Sequence, residues 1–126
     1  MARILIIDDD VKFLKMLRQM LERAGHEVVE APNGEVGVKL FREERTELII
    51  TDIFMPEKEG IEIIRELKRE FPTVKIIAIS GGGRKGNFHY LETAEALGAD
   101  RSFTKPFERQ EMLDAIQELV GQEGND

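Results

Sequence analysis

The stretch Ile4-Leu-Ile-Ile-Asp-Asp-Asp10 decides the fold, because four apolar residues are followed at once by three acids. An apolar run this short and continuous is typical of a strand that is buried on both faces, as in a parallel sheet. Two further runs of the same kind lie at residues 48–50 and 74–79. The sequence therefore predicts a parallel sheet, with acids placed directly after its first strand.

Stretches with helical spacing of apolar residues separate these runs. Gly25 and Gly121 end the first and last stretch, Asn33 precedes the second as an N-cap, and Pro72 follows the third. The apolar positions are Val11, Leu14, Leu17, Leu21 and Ala24, then Val36, Leu40 and Phe41, then Ile61, Ile64, Leu67 and Phe71, then Leu91, Ala94 and Leu97, and finally Leu113, Ile116 and Val120. With two weaker strands at 26–31 and 101–104, the chain is predicted to be an α/β protein of the (βα)₅ type, with parallel strands and right-handed crossovers.

Length and composition narrow the class of protein. The 126 residues suffice for one compact domain, and the absence of cysteine excludes disulfides, zinc-thiolate sites and Fe–S clusters. No apolar stretch approaches the roughly 20 residues of a membrane span, and the N-terminus lacks a signal peptide, so we expect a cytoplasmic protein with no membrane contact. The net charge of −7 argues against direct binding of nucleic acid, because an acidic surface repels phosphate backbones.

Three acids follow two of the predicted strands. Asp8 and Asp9 end the first strand and Asp52 ends the third, and ligands of open parallel sheets bind at the carboxyl ends of the strands. If the two strands are neighbours, carboxylates about 5 Å apart repel by roughly 3 kcal/mol per pair at an effective dielectric near 20, which demands protonation or a cation. A site of oxygen ligands without His or Cys selects a hard ion, of which Mg²⁺ is the expected one. Asp10 is predicted to be the N-cap or a first-turn acid of the first helix, with no role in the site.

Phosphate chemistry suits such a site. Mg²⁺ commonly bridges carboxylates to phosphate oxygens, and Ser80 and Lys105, each at the end of a strand, are placed to donate to the transferred group. A carboxylate can itself be the nucleophile and form an aspartyl phosphate. The acid that faces the Asp8 and Asp9 pair across the cleft is Asp52, which we predict to be that nucleophile.

Four motifs together resemble the response-regulator receiver domain, the CheY-like family. They are Ile4-Leu-Ile-Ile-Asp-Asp-Asp10, Leu48-Ile-Ile-Thr-Asp-Ile-Phe-Met-Pro56, Ile76-Ile-Ala-Ile-Ser-Gly81 and Phe103-Thr-Lys-Pro-Phe107. The resemblance implies a flavodoxin-like doubly wound sheet with strand order 2-1-3-4-5, in a receiver domain at residues 1–121 with a short acidic tail at 122–126. No output domain is expected in this chain.

The resemblance also implies roles for the site residues and partners for the chain. Asp52 is expected to accept the phosphoryl group, Ser80 and Lys105 to bind its oxygens, and Lys105–Pro106 to be a cis peptide. The implied Mg²⁺ ligands are Asp9 directly, Asp8 mainly through water, Asp52, and the carbonyl of Phe54. The expected donor is a histidine kinase or a histidine phosphotransfer protein. A downstream protein is expected to bind a face made of the fourth helix, the fifth strand and the fifth helix.

The chain departs from the family pattern at three positions. The family usually has an aromatic residue three places before the lysine, where this chain has Ser102, with Phe103 one place later. Phe54 and Gly82 stand where the family often has polar groups. These departures leave the phosphorylation site intact, but the first puts the usual aromatic switch in doubt.

Two other functions are compatible with parts of the sequence. The first is a Mg²⁺-dependent phosphatase acting on free substrates, which commonly needs a second acid where this chain has Phe54. The second is a nucleotide- or flavin-binding module, because Gly81-Gly-Gly83-Arg-Lys-Gly86 matches G-x-G-x-x-G after a strand. That fingerprint normally belongs to the first strand and helix, with an acid at the end of the next strand, where this chain has Lys105. We therefore predict a signalling receiver that catalyses only its own phosphorylation and dephosphorylation.

Overall fold

The computed structural model describes residues 2–53, 59–80 and 87–121, without the side chains of 59–60 and 87–91. Predictions that concern Phe54, the glycine-rich loop at 81–86 and the tail at 122–126 lie outside these residues.

Five strands and five helices alternate along the described part of the chain. They are β1 (Arg3–Ile7), α1 (Val11–Arg23), β2 (Glu27–Ala31), α2 (Gly34–Glu43), β3 (Leu48–Asp52), α3 (Glu59–Glu70), β4 (Lys75–Ser80), α4 (Asn87–Leu97), β5 (Arg101–Thr104) and α5 (Arg109–Gly121). The strands form one sheet in the order β2-β1-β3-β4-β5, and every neighbouring pair is parallel. The predicted (βα)₅ fold and its strand order are confirmed. None of the described helices is both long enough and apolar enough to cross a lipid bilayer.

A hydrophobic core lies on each face of the sheet, because successive strand residues point to opposite sides. On one face, Ile4 and Ile6 of β1 and Ile50 of β3 pack with side chains of α1 and α5. On the other face, Leu5 and Ile49 pack with side chains of α2, α3 and α4. Burial on both faces explains why the strands are continuous apolar runs rather than alternating ones.

The cap of α1 keeps the acids at the strand end. Asp10 Oδ1 accepts hydrogen bonds from the backbone N–H groups of Lys12 at 3.0 Å and of Phe13 at 3.2 Å, as predicted for an N-cap. The helix therefore starts immediately after the acidic run, and Asp8 stays level with the carboxyl edge of the sheet. Gly25 follows the helix with a φ of +97°, a left-handed conformation that glycine adopts without strain.

The predicted apolar stripe of α1 was wrong at both ends. Val11 is 64% exposed and Ala24 is also exposed, whereas Met20, which lay outside the prediction, is buried. The 13 residues of α1 span about 20 Å at 1.5 Å per residue. Val11 is the first residue of the helix and Ala24 is its C-cap, so both lie at the helix ends and outside its buried stripe.

Candidate functional site

The register of the sheet brings the acids together. Ile7 of β1 pairs with Thr51 of β3, so that the next residues, Asp8 and Asp52, leave neighbouring strands at the same level. Carboxylate oxygens of Asp8, Asp9 and Asp52 lie within 4.8 Å of one another. The predicted convergence of these three acids is therefore present in the structure.

Asp8 is the most buried of the three acids, and hydrogen bonds fix its side chain. It is 2% exposed, and its backbone N–H donates to the carbonyl of Ala31 at 3.2 Å. Its Oδ1 accepts from the backbone N–H of Asp10 at 2.9 Å, and its Oδ2 accepts from the Nζ of Lys105 at 2.8 Å. With both oxygens engaged, this carboxylate has a fixed orientation.

Lys105 bridges two strands of the site. Its Nζ also donates to Asp52 Oδ2 at 3.2 Å, and Asp52 is 5% exposed. The backbone N–H of Lys105 donates to the Ser80 carbonyl at 2.8 Å, and this bond fixes the backbone from which the lysine side chain extends. The Lys105–Pro106 bond is cis, as the family resemblance implied. The ammonium group thus lies between the carboxylates of Asp8 and Asp52.

Phe13 of α1 forms a third contact with this ammonium group, which the sequence analysis missed. The Nζ of Lys105 lies 3.8 Å from the centroid of the Phe13 ring. Spacing along the chain could have indicated this contact. Phe13 is only three residues after Asp10, at the start of the first helix, and therefore lies close to the acids at the end of β1.

Ser80 contributes a buried hydroxyl to the site. The residue is fully buried at the end of β4, and its Oγ has no hydrogen-bond partner among the residues that the structure describes. Burying an unsatisfied hydroxyl costs about 1–3 kcal/mol on the scale of protein mutations. Ser80 is therefore equipped to donate to an oxygen atom of a bound group.

Burial sets the protonation behaviour of the acids. It raises the pKa of Asp8, and the charge of Asp52 adds to this, while the hydrogen bond from Lys105 acts in the opposite direction. Burial, followed by the hydrogen bond and charge of Asp8, raises the pKa of Asp9 as well. Burial also disfavours the charged form of Lys105, but the contacts with Asp8 and Asp52 outweigh it and raise the pKa of the ammonium group.

These shifts predict how the stability of the metal-free protein depends on pH. Above the ordinary carboxyl pKa of 3.8, folded Asp8 still holds protons that the unfolded chain has lost. Unfolding then releases protons, so the contribution of this group to stability falls as the pH rises from 3.8 through the raised pKa. We expect the free energy of unfolding of the native chain minus that of Asp8→Asn to decrease over this range.

Urea unfolding in EDTA between about pH 4 and 7 measures this difference. Comparison with the variant cancels the carboxyl groups that do not interact with Asp8, such as Glu70, whose pKa is lowered by Arg42. Asp9 does not cancel, but it changes in the same direction, because Asp8 contributes to its raised pKa. A difference that is constant with pH, or that grows as the pH rises, would contradict the assignment.

The charges of the cluster fit a divalent cation. Three carboxylates and one ammonium group leave an excess of two negative charges. Asp9 is the exposed member, so its carboxylate opens the cluster to solvent. Oxygen ligands alone favour a hard ion. Asp8, Asp9 and Asp52 are therefore a candidate metal site.

Comparison with known proteins identifies the family. A family model described as "Response regulator receiver domain" matches residues 4–117. The chain belongs to the response-regulator receiver family. Its role is that of a phosphoacceptor signalling module of two-component systems.

Relatives and solved structures agree with this receiver assignment. "Chemotaxis protein CheY" of Thermotoga maritima is 34% identical over 118 residues, which cover 93% of this chain and 96% of that protein. "Protein PilH" of Pseudomonas aeruginosa is 32% identical and covers 95% of this chain and 98% of its own length. The crystal structure of a receiver domain protein from Clostridium thermocellum superposes with a TM-score of 0.89 at 30% identity, covering 98% of both chains. A longer relative, the transcriptional regulatory protein PhoP of Bacillus subtilis, is 33% identical, and this chain spans 48% of it.

Ser102, which stands where the family usually has an aromatic residue, makes a polar contact with α4 in this receiver. Ser102 Oγ donates a hydrogen bond to Glu95 Oε2 on α4. Phe103, the next residue of β5, points to the opposite face of the sheet, where its ring packs 5.9 Å from that of Phe107. The aromatic group near the lysine therefore lies on the α1 and α5 side, and a polar contact joins β5 to α4.

Proposed function

We propose that this receiver takes a phosphoryl group onto Asp52 from the phosphohistidine of a histidine kinase or histidine phosphotransfer protein. The observation that carries the proposal is the Lys105 ammonium group, which is shared between the buried carboxylates of Asp8 and Asp52. Beside it, the buried Ser80 hydroxyl has no partner among the described residues. A nucleophile and two donors for phosphoryl oxygens thus lie at one edge of the sheet.

In the proposed reaction, a carboxylate oxygen of Asp52 attacks the phosphorus atom in line with the donor nitrogen. A P–O bond forms, the P–N bond breaks, and its electron pair stays on the imidazole nitrogen. Ammonium and hydroxyl donors that already stand near the reacting atoms stabilise the charge of the transition state. Lys105 then exchanges its contact with Asp52 for one with a phosphoryl oxygen, and the Ser80 hydroxyl donates to another.

Mg²⁺ is the proposed cofactor. Asp8, Asp9 and Asp52 would hold it together with the carbonyl of Phe54, which lies outside the described residues. When bound, the ion neutralises charge on the phosphoryl oxygens and on the carboxylates. Support comes from the excess of negative charge in the cluster and from its purely oxygen ligands.

Millimolar Mg²⁺ is expected to raise the melting temperature, and Asp9→Asn should remove most of that effect. An ion at 100 times its dissociation constant adds about 2.7 kcal/mol to the stability of the folded state, which is several degrees for a chain of this size. Thermal unfolding followed by circular dichroism, with and without Mg²⁺, measures the shift.

Asp10→Asn is the matched control for Asp9→Asn. It removes the adjacent acid but keeps an N-cap residue, since Asn caps helices as well as Asp does. This variant should retain the full Mg²⁺ effect. Equal shifts in the native chain and in Asp9→Asn would exclude the proposed ion site.

Phosphorylation of the native chain tests the proposed function directly. The purified protein is incubated with acetyl phosphate and Mg²⁺, and its intact mass is measured with time. We expect a gain of one phosphoryl group, and none when EDTA replaces Mg²⁺. No gain in mass would overturn the proposal, and steady release of phosphate from small phosphoesters would indicate a phosphatase.

The proposed response is a change of binding surface rather than turnover of a substrate. The chain would catalyse only its own phosphorylation and dephosphorylation, in the cytoplasm and without contacting nucleic acid. Residues 1–121 would be the receiver domain and 122–126 a short acidic tail. The face formed by α4, β5 and α5 is proposed to bind a downstream protein. The contact between Ser102 and Glu95 supports this, because it ties β5, which leads into Lys105, to α4.

A further inference from the structure

The ammonium group of Lys105 has a different neighbour on each of three sides. Asp8 Oδ2 lies at 2.8 Å, Asp52 Oδ2 at 3.2 Å, and the centroid of the Phe13 ring at 3.8 Å. A lysine ammonium group has three N–H donors on a flexible four-carbon chain. Two carboxylates and an aromatic ring therefore surround it together.

The Phe13 ring is itself held in place. The backbone N–H of Phe13 donates to Asp10 Oδ1 at 3.2 Å, and this bond fixes Phe13 in the first turn of α1. The Phe107 ring meets it edge to face, with centroids 6.0 Å apart and planes at 88°. Phe107 in turn packs against Phe103. The ring that contacts Lys105 is thus anchored both by the helix cap and by an aromatic cluster.

We propose that Phe13 is a positioning residue for Lys105, and that its ring keeps the ammonium group aligned with Asp52 during phosphoryl transfer. A cation over an aromatic face is attracted more strongly when both are shielded from water, and the Lys105 side chain is only 19% exposed. Without the ring, the lysine chain regains rotamers that point its charge away from the reacting atoms. The expected effect on the rate of phosphorylation rests on the proposed function, whereas the contact between Phe13 and Lys105 does not.

Simple packing is the competing explanation, since Phe13 also packs against the core cluster under α1 and α5. Packing requires only apolar volume, which leucine supplies. Positioning of a cation requires an aromatic face, which tyrosine supplies and leucine does not. The pair Phe13→Leu and Phe13→Tyr therefore separates the two explanations.

The first measurement is the chemical shift of the Lys105 ε-methylene protons. In the native chain and in Phe13→Tyr they should lie upfield of those of the other lysines, because a ring current shields them. In Phe13→Leu the upfield shift should be lost. Phe71→Leu is the matched control, because it removes a partly buried ring that also lies over a cation, with the Arg45 guanidinium 4.3 Å from its centroid, but on the opposite face of the sheet.

The second measurement is the rate of phosphorylation by acetyl phosphate in saturating Mg²⁺. Phe13→Leu should react about threefold to thirtyfold more slowly, which corresponds to about 0.7–2 kcal/mol at about 1.4 kcal/mol per factor of ten. Phe13→Tyr and Phe71→Leu should react at close to the native rate.

The outcomes separate this proposal from the proposed function. A native rate in Phe13→Leu, with the upfield shift lost, would overturn the positioning role, as would an equal slowing of Phe13→Tyr. If Phe13→Leu does not fold, Phe13→Met replaces it with the same expectations. If the native chain takes no phosphate, the proposed function fails, and the Lys105 shift alone then decides for or against the contact.

Discussion

Asp52→Asn is expected to abolish the uptake of phosphate from acetyl phosphate, with a loss of at least about a thousandfold in rate. The amide has nearly the shape of the carboxylate and fits the same position, where the residue is 5% exposed, so the fold should persist. However, an amide is a poor nucleophile and forms no stable acyl phosphate. Intact mass spectrometry of the variant should show no added phosphoryl group under conditions that label the native chain fully.

Asp8→Asn is the matched control for this experiment. Asp8 is equally buried and shares the same lysine, so the substitution removes a similar charge from a similar place. Because Asp8 is a proposed metal ligand rather than the nucleophile, this variant should be labelled slowly but measurably. Labelling of Asp52→Asn at the native rate, on any residue, would refute the assignment of Asp52.

Lys105→Met is expected to produce the largest change in stability. The lysine bonds to two carboxylates whose side chains are 2% and 6% exposed, and its removal leaves both charges buried without the ammonium group. Breaking a buried ion pair by removing one partner typically costs about 3–5 kcal/mol, a large part of the total stability of about 5–15 kcal/mol. The loss should be smaller at low pH, where Asp8 can take up a proton, and Mg²⁺ should recover part of it.

Urea unfolding with and without Mg²⁺ measures both effects, and Lys68→Met is the matched control. The Lys68 side chain is also 19% exposed, but its Nζ donates to the carbonyl of Val74 at 2.6 Å and lies 3.7 Å from Asp100, away from the acidic cluster. Lys68→Met should lower the free energy of unfolding less than Lys105→Met does. Mg²⁺ should stabilise Lys68→Met only as much as it stabilises the native chain. If Mg²⁺ recovers no more stability in Lys105→Met than in Lys68→Met, the lysine does not balance the charge of the cluster.

The fold and the acidic part of the site were predictable from the sequence for a common physical reason. Strands buried on both faces must be continuous apolar runs, and residues that follow them must lie at one edge of a parallel sheet. The pattern therefore places Asp8, Asp9 and Asp52 at that edge. Their position on neighbouring strands follows from the strand order, which the family resemblance implied. The ends of strands were less certain: the N–H of His26 bonds to the carbonyl of Leu21 and so belongs to the turn after α1, although the apolar pattern placed residue 26 in β2.

Contacts between distant residues were not predictable in this way. Lys105 is 97 residues from Asp8 and 53 from Asp52, and no local pattern shows that one ammonium group bonds to both. The ring of Phe13 over that ammonium group depends on how α1 lies against the loop after β5. Each of these follows from packing in three dimensions rather than from spacing along the chain.

The register between β1 and β3 has a consequence for how this sequence can change in evolution. Because Ile7 pairs with Thr51, the two site acids stay level whatever the length of the chain between the strands. Insertions in the surface connections around α1 and α2 are absorbed there, as surface loops generally absorb them. An insertion of one residue inside either strand would instead turn every following side chain to the opposite face. We therefore expect relatives of this protein to differ more in the lengths of their surface loops than in the lengths of these two five-residue strands.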